Sequence, residues 1–366
     1  MNKRFAYLAF AFSIAGALSV GCGSDDDSTP PNKGGAGGLA GSAGKGGSSG
    51  SLNESGSAGI ADLAGSTGVG GAAGDQGDTA GNGPGGQGGE GGAAAPETPL
   101  ERGKQIVRSI TLCGSCHTAA GGSELGGNPT FAGGLGAPNL TNDPSGIADY
   151  SDARVINAIK NGIALRKEAN DQDRHLSSVM PYWLFHNMTD DDALAVVTFL
   201  RSLPPVAGTV AIGKADATPV TPLAPSSLPD TSLASTDPDY AAAKEGKYLL
   251  SAVAQCVKCH SPATGGLPSG DLFSGVPPAN ATAIFAPNIT PHDPTGISGW
   301  TAADVVTALK VGTNKAGRTL CGSMPSGAKG FGGMSDADAH AIGVYLTTIP
   351  GVDKAATDSV LEPACP

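Results

Sequence analysis

After residue 95 the sequence repeats itself once, and each copy carries the same five-residue signature: CGSCH at 113–117 and CVKCH at 256–260. ERGKQIVRSITLCGSCH aligns with KEGKYLLSAVAQCVKCH, with Gly103 and Gly246 each ten residues before the first Cys of their motif. GAPNLTNDPSGIADYSDARVINAIKNG aligns with FAPNITPHDPTGISGWTAADVVTALKVG, SVMPYW with GSMPSG, and MTDDDALAVVTFLRSLPPV with MSDADAHAIGVYLTTIPGV. The order is the same in both copies. His117 to Met180 spans 63 positions and His260 to Met324 spans 64, although the loops between differ in length. A separation kept across unequal loops points to a fixed geometric requirement.

Each copy reads as mostly helical, which makes the fold class all-α. A first helix is expected over 99–111 and again over 239–254. A second begins at Ser151 and Thr301, with apolar residues at helical spacing: Val155, Ile156 and Ile159, then Val305, Val306 and Leu309. The last begins at Thr189 and Ser335, good N-caps followed by Asp residues where the helix dipole favours negative charge. These last helices end at Pro204 and Pro350. The loops between are rich in Gly and Pro, with little strand signal. The folded units are therefore 97–207 and 238–366, joined by an extended, Pro-rich linker at 208–237.

The N-terminal quarter reads differently. Lys3 and Arg4 precede an apolar run from Phe5 to Leu18, the pattern of a secretion signal. LSVGC follows, ending at Cys22, and resembles a bacterial lipobox, with Ser19 where Leu is commonest. Residues 1–22 are thus expected to be a signal peptide and lipobox, with Cys22 lipidated as a membrane anchor. Ordinary signal cleavage would instead leave Cys22 as a free thiol. Residues 23–96 hold most of the excess glycine and have no apolar periodicity, so they are expected to be a disordered Gly/Ser/Ala-rich tether. The formal net charge of −11 argues against nucleic-acid binding, which needs a basic face. An acidic surface suits docking to basic patches on partner proteins, or serves solubility alone.

C-x-x-C-H is the attachment signature for haem c. Two thiols three positions apart can each add to a porphyrin vinyl group, and the His directly after the second Cys then lies beneath the ring. A structural zinc site needs four converging ligands, and neither copy supplies a second Cys pair. A redox C-x-x-C of the thioredoxin type needs a βαβ context that is absent here. The expected cofactors are therefore two covalently bound haem c groups, at Cys113, Cys116 and His117 and at Cys256, Cys259 and His260.

With these motifs, the APN[LI]T…DP[ST]GI loops and the Met-Pro segments, the chain resembles class I c-type cytochromes in diheme form. It looks most like the cytochrome c subunits of periplasmic bacterial alcohol and sugar dehydrogenases. The terminal helices match as well, with Phe199 and Tyr345 opposite Gly103 and Gly246. The resemblance covers about 97–207 and 238–366. It implies two tandem class I cytochrome c domains.

A c-type iron with His and Met ligands is six-coordinate and leaves no open position for substrate. Met180 and Met324 stand at matching positions, each followed by Pro, and the family favours this pair as the axial ligands. Met188 and Met334 also match and compete, their alternative role being packing before the last helix. His175, His186, His292 and His340 have no counterparts in the other copy. In class I cytochromes a proline carbonyl orients the proximal His, and Pro138 and Pro287 match that position; the plain alternative is a turn proline. Cys321 and Cys365 remain as an even pair in an exported chain, which favours a disulfide.

The function these residues imply is single-electron transfer, with no catalytic residue assigned. The donor is expected to be a periplasmic dehydrogenase and the acceptor another cytochrome or a terminal oxidase. The rival class is a diheme enzyme, of peroxidase or thiosulfate-oxidising type, with one open haem.

Overall fold

The computed structural model describes residues 97–165, 175–211, 219–276, 286–320, 324–327 and 330–354. The signal peptide with Cys22, the 23–96 tether, and both Cys321 and Cys365 lie outside those residues. Among the described residues helices dominate, and none is long and apolar enough to cross a membrane.

The first repeat opens with helix α1 (Pro99–Gln105). Thr98 Oγ1 accepts from the Glu101 N–H while the Glu101 carboxylate accepts from the Thr98 N–H, a reciprocal cap for two otherwise orphaned donors. Beyond Gln105 the helix does not continue as α. Residues Ile106–Ile110 form a π-helical turn, in which the Thr111 N–H reaches back five residues to Ile106 O. The sequence suggested one uniform helix over 99–111; periodicity does not distinguish a widened last turn. The motif itself forms the short helix α2 (Gly114–His117). Helices α3 (Asp152–Asn161), α4 (Tyr182–Phe185) and α5 (Asp190–Ser202) complete the repeat.

The second repeat follows the same course. Helix α6 (Tyr240–Tyr248) runs into a π-helical turn at Leu249–Val253, and α7 (Cys256–His260) holds the motif. A two-stranded hairpin, β1 (Ala263–Thr264) with β2 (Leu267–Pro268), has no counterpart among the described residues of the first repeat. Helices α8 (Ala302–Lys310) and α9 (Asp336–Thr348) close the chain. Ser151, Thr301, Thr189 and Ser335 cap α3, α8, α5 and α9 through their hydroxyls, each accepting an N–H three residues on.

In each repeat the first and last helices cross at a glycine. A Cβ on Gly103 would lie 1.9 Å from Ala195 O and 2.9 Å from Phe199 Cβ. At Gly246 the distances are 2.1 Å to Ala341 O and 2.6 Å to Tyr345 Cβ. The backbones are too close for any side chain, which is why glycine recurs there.

The repeats meet through related contacts. Gln105 Oε1 accepts from the Ser335 N–H at 3.0 Å, and the corresponding Tyr248 hydroxyl accepts from the Thr189 N–H at 3.1 Å. Each repeat's first helix thus satisfies the start of the other's last helix. Arg102 lies between them, bonded to Asp192 at 2.8 and 3.1 Å and to Asp338 at 2.7 Å. Tyr248 donates to the same Asp192 at 2.6 Å. Burial works against the Arg102 charge, but the bond to Asp192 and the field of Asp338 more than offset it and raise its pKa.

The described part of the linker is pinned along its length. The Gly208 N–H donates to Ser145 Oγ, the Val220 N–H donates to Tyr182 Oη, and the Leu223 N–H donates to Trp183 O. Leu228 is fully buried, and the Ser232 N–H donates to Thr348 O in the second repeat.

Candidate functional site

The first site is built around α2. Its turn is closed by the His117 N–H donating to Cys113 O at 3.0 Å, and His117 O accepts from the Gly127 N–H at 2.9 Å. This fixes the imidazole at the floor of a cavity of about 440 Å³. Cys113, Cys116, His117 and Met180 all line that cavity, with apolar walls from Ile106, Leu140, Ile147, Val155 and Leu176. His117 is 7% exposed, and its Nδ1–H donates to Pro138 O at 2.8 Å. That bond leaves Nε2 as the nitrogen with a free lone pair.

The second site reproduces these contacts. His260 is also 7% exposed, its Nδ1–H donates to Pro287 O at 2.8 Å, and its carbonyl accepts from the Gly275 N–H at 2.9 Å. Burial lowers the pKa of both imidazoles against the opposing pull of the proline carbonyls, so both are neutral at pH 7. A neutral imidazole is the form that binds metal. Burial also pushes the Cys113 and Cys256 thiols up to about 12.

The residues present fit a large, flat, apolar group with a metal at its centre. Two thiols, one oriented imidazole and two thioethers open onto a single apolar space. A bare metal ion is a poorer match, because among the described residues no three His, Cys, Asp or Glu side chains converge as ligands. Residues 100–204 match the family model described as cytochrome c.

The first repeat belongs to the cytochrome c family.

This cytochrome is similar to the cytochrome c subunit of a quinone alcohol dehydrogenase from Gluconobacter oxydans (strain 621H), 28% identical over 71% of this chain and 56% of that protein. It is similar to a diheme c-type cytochrome from Cereibacter sphaeroides, 26% identical over 66% of this chain and 83% of that protein. It is also 26% identical to the cytochrome subunit of a fructose dehydrogenase from Gluconobacter japonicus, over 70% of this chain and 54% of the relative. The chain spans a little over half the length of the alcohol dehydrogenase subunits it matches. The two C-x-x-C-H segments are its two haem c sites.

Both Met-Pro segments turn in the same way. Met180 O accepts from the Tyr182 N–H and Met324 O accepts from the Ser326 N–H, each at 2.7 Å. Met188 also lines the first cavity and is 3% exposed, while Met334 is buried in the core. Tyr150 lines the first cavity too. His186 bonds Asn161 and His292 bonds Thr295. His175 Nδ1 is buried without a hydrogen-bond partner beside the cavity residue Leu176.

The asparagine and threonine of the repeated APN[LI]T loop have no role in the sequence reading, yet they hold the proline carbonyl in place. Asn139 Oδ1 accepts from the Thr141 N–H and hydroxyl, and its Nδ2 donates to Val206 O at 2.6 Å. Asn288 does the same with Thr290 and donates to Val352 O at 2.9 Å. All four side chains are at most 2% exposed. The signal was in the repeat itself: the same Asn and Thr recur in both APN[LI]T segments.

Proposed function

We propose that this cytochrome is an exported, lipid-anchored diheme carrier that takes single electrons from a periplasmic dehydrogenase and delivers them to another cytochrome or a terminal oxidase. The observation that supports it best is the single cavity shared by Cys113, Cys116, His117 and Met180. When bound, each haem supplies an iron that accepts and releases one electron.

The chain's own residues do the rest. Cys113, Cys116, Cys256 and Cys259 hold the groups covalently. His117 and His260, turned by Pro138 and Pro287 so that Nε2 is available, would bind the iron. Met180 and Met324 would supply the soft thioether that stabilises the reduced state and raises the potential. Apolar walls exclude water and limit reorganisation. The domains of this reading are 97–207 and 238–366, joined by 208–237. A Cys321–Cys365 disulfide would tie the loop of Met324 to the C-terminus. The relatives' printed names support a dehydrogenase as donor.

The test is spectroscopic. Purified holoprotein should contain two haems per chain and should not bind carbon monoxide when reduced. Carbon monoxide binding at either haem would favour a diheme enzyme with an open site. Palmitate labelling that is lost in Cys22→Ser tests the anchor. Labelling of both Cys321 and Cys365 by alkylation without prior reduction would remove the disulfide.

A further inference from the structure

We propose that Gln255 is the electronic junction between the two haems. The inference rests on the reading of both C-x-x-C-H segments as haem sites. Gln255 belongs to the second repeat, where it directly precedes Cys256 and occupies the start of α7. Its side chain crosses into the first repeat. Nε2 donates to Thr111 O at 2.7 Å, and the residue lines the cavity that holds Cys113, Cys116 and His117.

Thr111 stands two positions before Cys113. A run of covalent bonds interrupted by one hydrogen bond therefore joins Cys113 to Cys256. Electronic coupling falls off less steeply through covalent and hydrogen bonds than across van der Waals gaps. Thr111 Oγ1 also donates to Val253 O at 3.3 Å, a second and longer contact between the same segments.

The contact breaks the symmetry of the junction. Elsewhere the repeats exchange equivalent bonds, as Gln105 with Ser335 and Tyr248 with Thr189. Here the counterpart of Gln255 is Leu112 and the counterpart of Thr111 is Ala254, so no reciprocal side-chain bond is possible. An apolar residue satisfies the packing at the equivalent position. The amide adds a bridge that packing does not require. In the transfer one electron leaves one iron, which is oxidised, and reduces the other. No proton moves and no covalent bond changes.

Exchange NMR on the half-reduced holoprotein measures the intramolecular transfer rate, because the methyl groups of each ferric haem resolve separately. Gln255→Met keeps the length of the side chain and Gln255→Leu copies the first repeat; neither can donate to Thr111 O. Both should slow transfer severalfold, with methyl shifts and midpoint potentials at their wild-type values. Thr111→Ala keeps the accepting carbonyl and should transfer at the wild-type rate. An unchanged rate in the Gln255 variants, or equal slowing in Thr111→Ala, overturns the proposal. A haem count other than two per chain would instead overturn the underlying reading.

Discussion

Arg102 Nη1 lies 2.7 Å from Asp338 Oδ2, although 236 positions separate the two residues in sequence. The same guanidinium grips Asp192, so one cation holds the first turns of both terminal helices. The side chains are 16%, 11% and 9% exposed, enough burial for removal of the cation to leave two poorly solvated carboxylates. Arg102→Met should therefore cost about 3 kcal/mol. In a unit of this size that lowers the Tm by roughly 6–12 °C in thermal unfolding. Adding Asp192→Asn and Asp338→Asn should recover most of the loss, since the uncompensated charges are then gone.

Met180 and Met188 line the same cavity but should respond differently to truncation. Met180→Ala should abolish the red methionine–iron band of one haem, lower that haem's potential and admit carbon monoxide. Met188→Ala should leave the band in place and instead cost about 2–5 kcal/mol through a core cavity. Absorption spectra and urea unfolding on the two variants separate the roles. Loss of the band in Met188→Ala would reverse the assignment.

Acid should weaken the fold through His117 and His260. Burial holds both below the usual histidine value of 6.5, so the unfolded chain binds protons that the native state refuses. The stabilisation from this difference is present above pH 6.5 and is lost as the pH falls toward the folded values. Iron ligation acts in the same direction, because a protonated imidazole cannot bind metal. Urea midpoints of the holoprotein should fall between pH 7 and pH 5. A flat profile across that interval would contradict the buried, neutral assignment.

The helix crossings should tolerate no added atom. Gly246→Ala places a methyl 2.1 Å from Ala341 O, and Gly103→Ala places one 1.9 Å from Ala195 O. Backbone cannot move aside as a flexible side chain would. Each substitution should cost about 1–3 kcal/mol, read as a lower denaturation midpoint. A midpoint equal to wild type would mean that the helices separate freely.

Much of this was legible in the sequence because it is local. Ser151, Thr189, Thr301 and Ser335 cap the helices they were expected to start, since an N-cap needs only its own next three residues. Cysteine spacing carried the cofactor chemistry for the same reason. What the sequence hid depends on distant partners. Gln255 looks like one more polar residue before a motif until Thr111, 144 positions away, is beside it. The π turns were also invisible, because Ile106 to Ile110 is as apolar as a regular helix would be. Asn139 and Asn288 read as loop residues until their carbonyl partners, Val206 and Val352, come from the far ends of the last helices.

The segment that composition marks as an extended linker between the repeats behaves as a splint. Leu223 is tied to Trp183 on one side and Ser232 to Thr348 on the other, each by a 2.8 Å backbone bond. A partner that grips one repeat therefore holds the other at a set bearing. The halves are also clasped by Arg102. Speed in such a carrier is fixed when the chain folds, and the choice left to evolution is which end faces the donor.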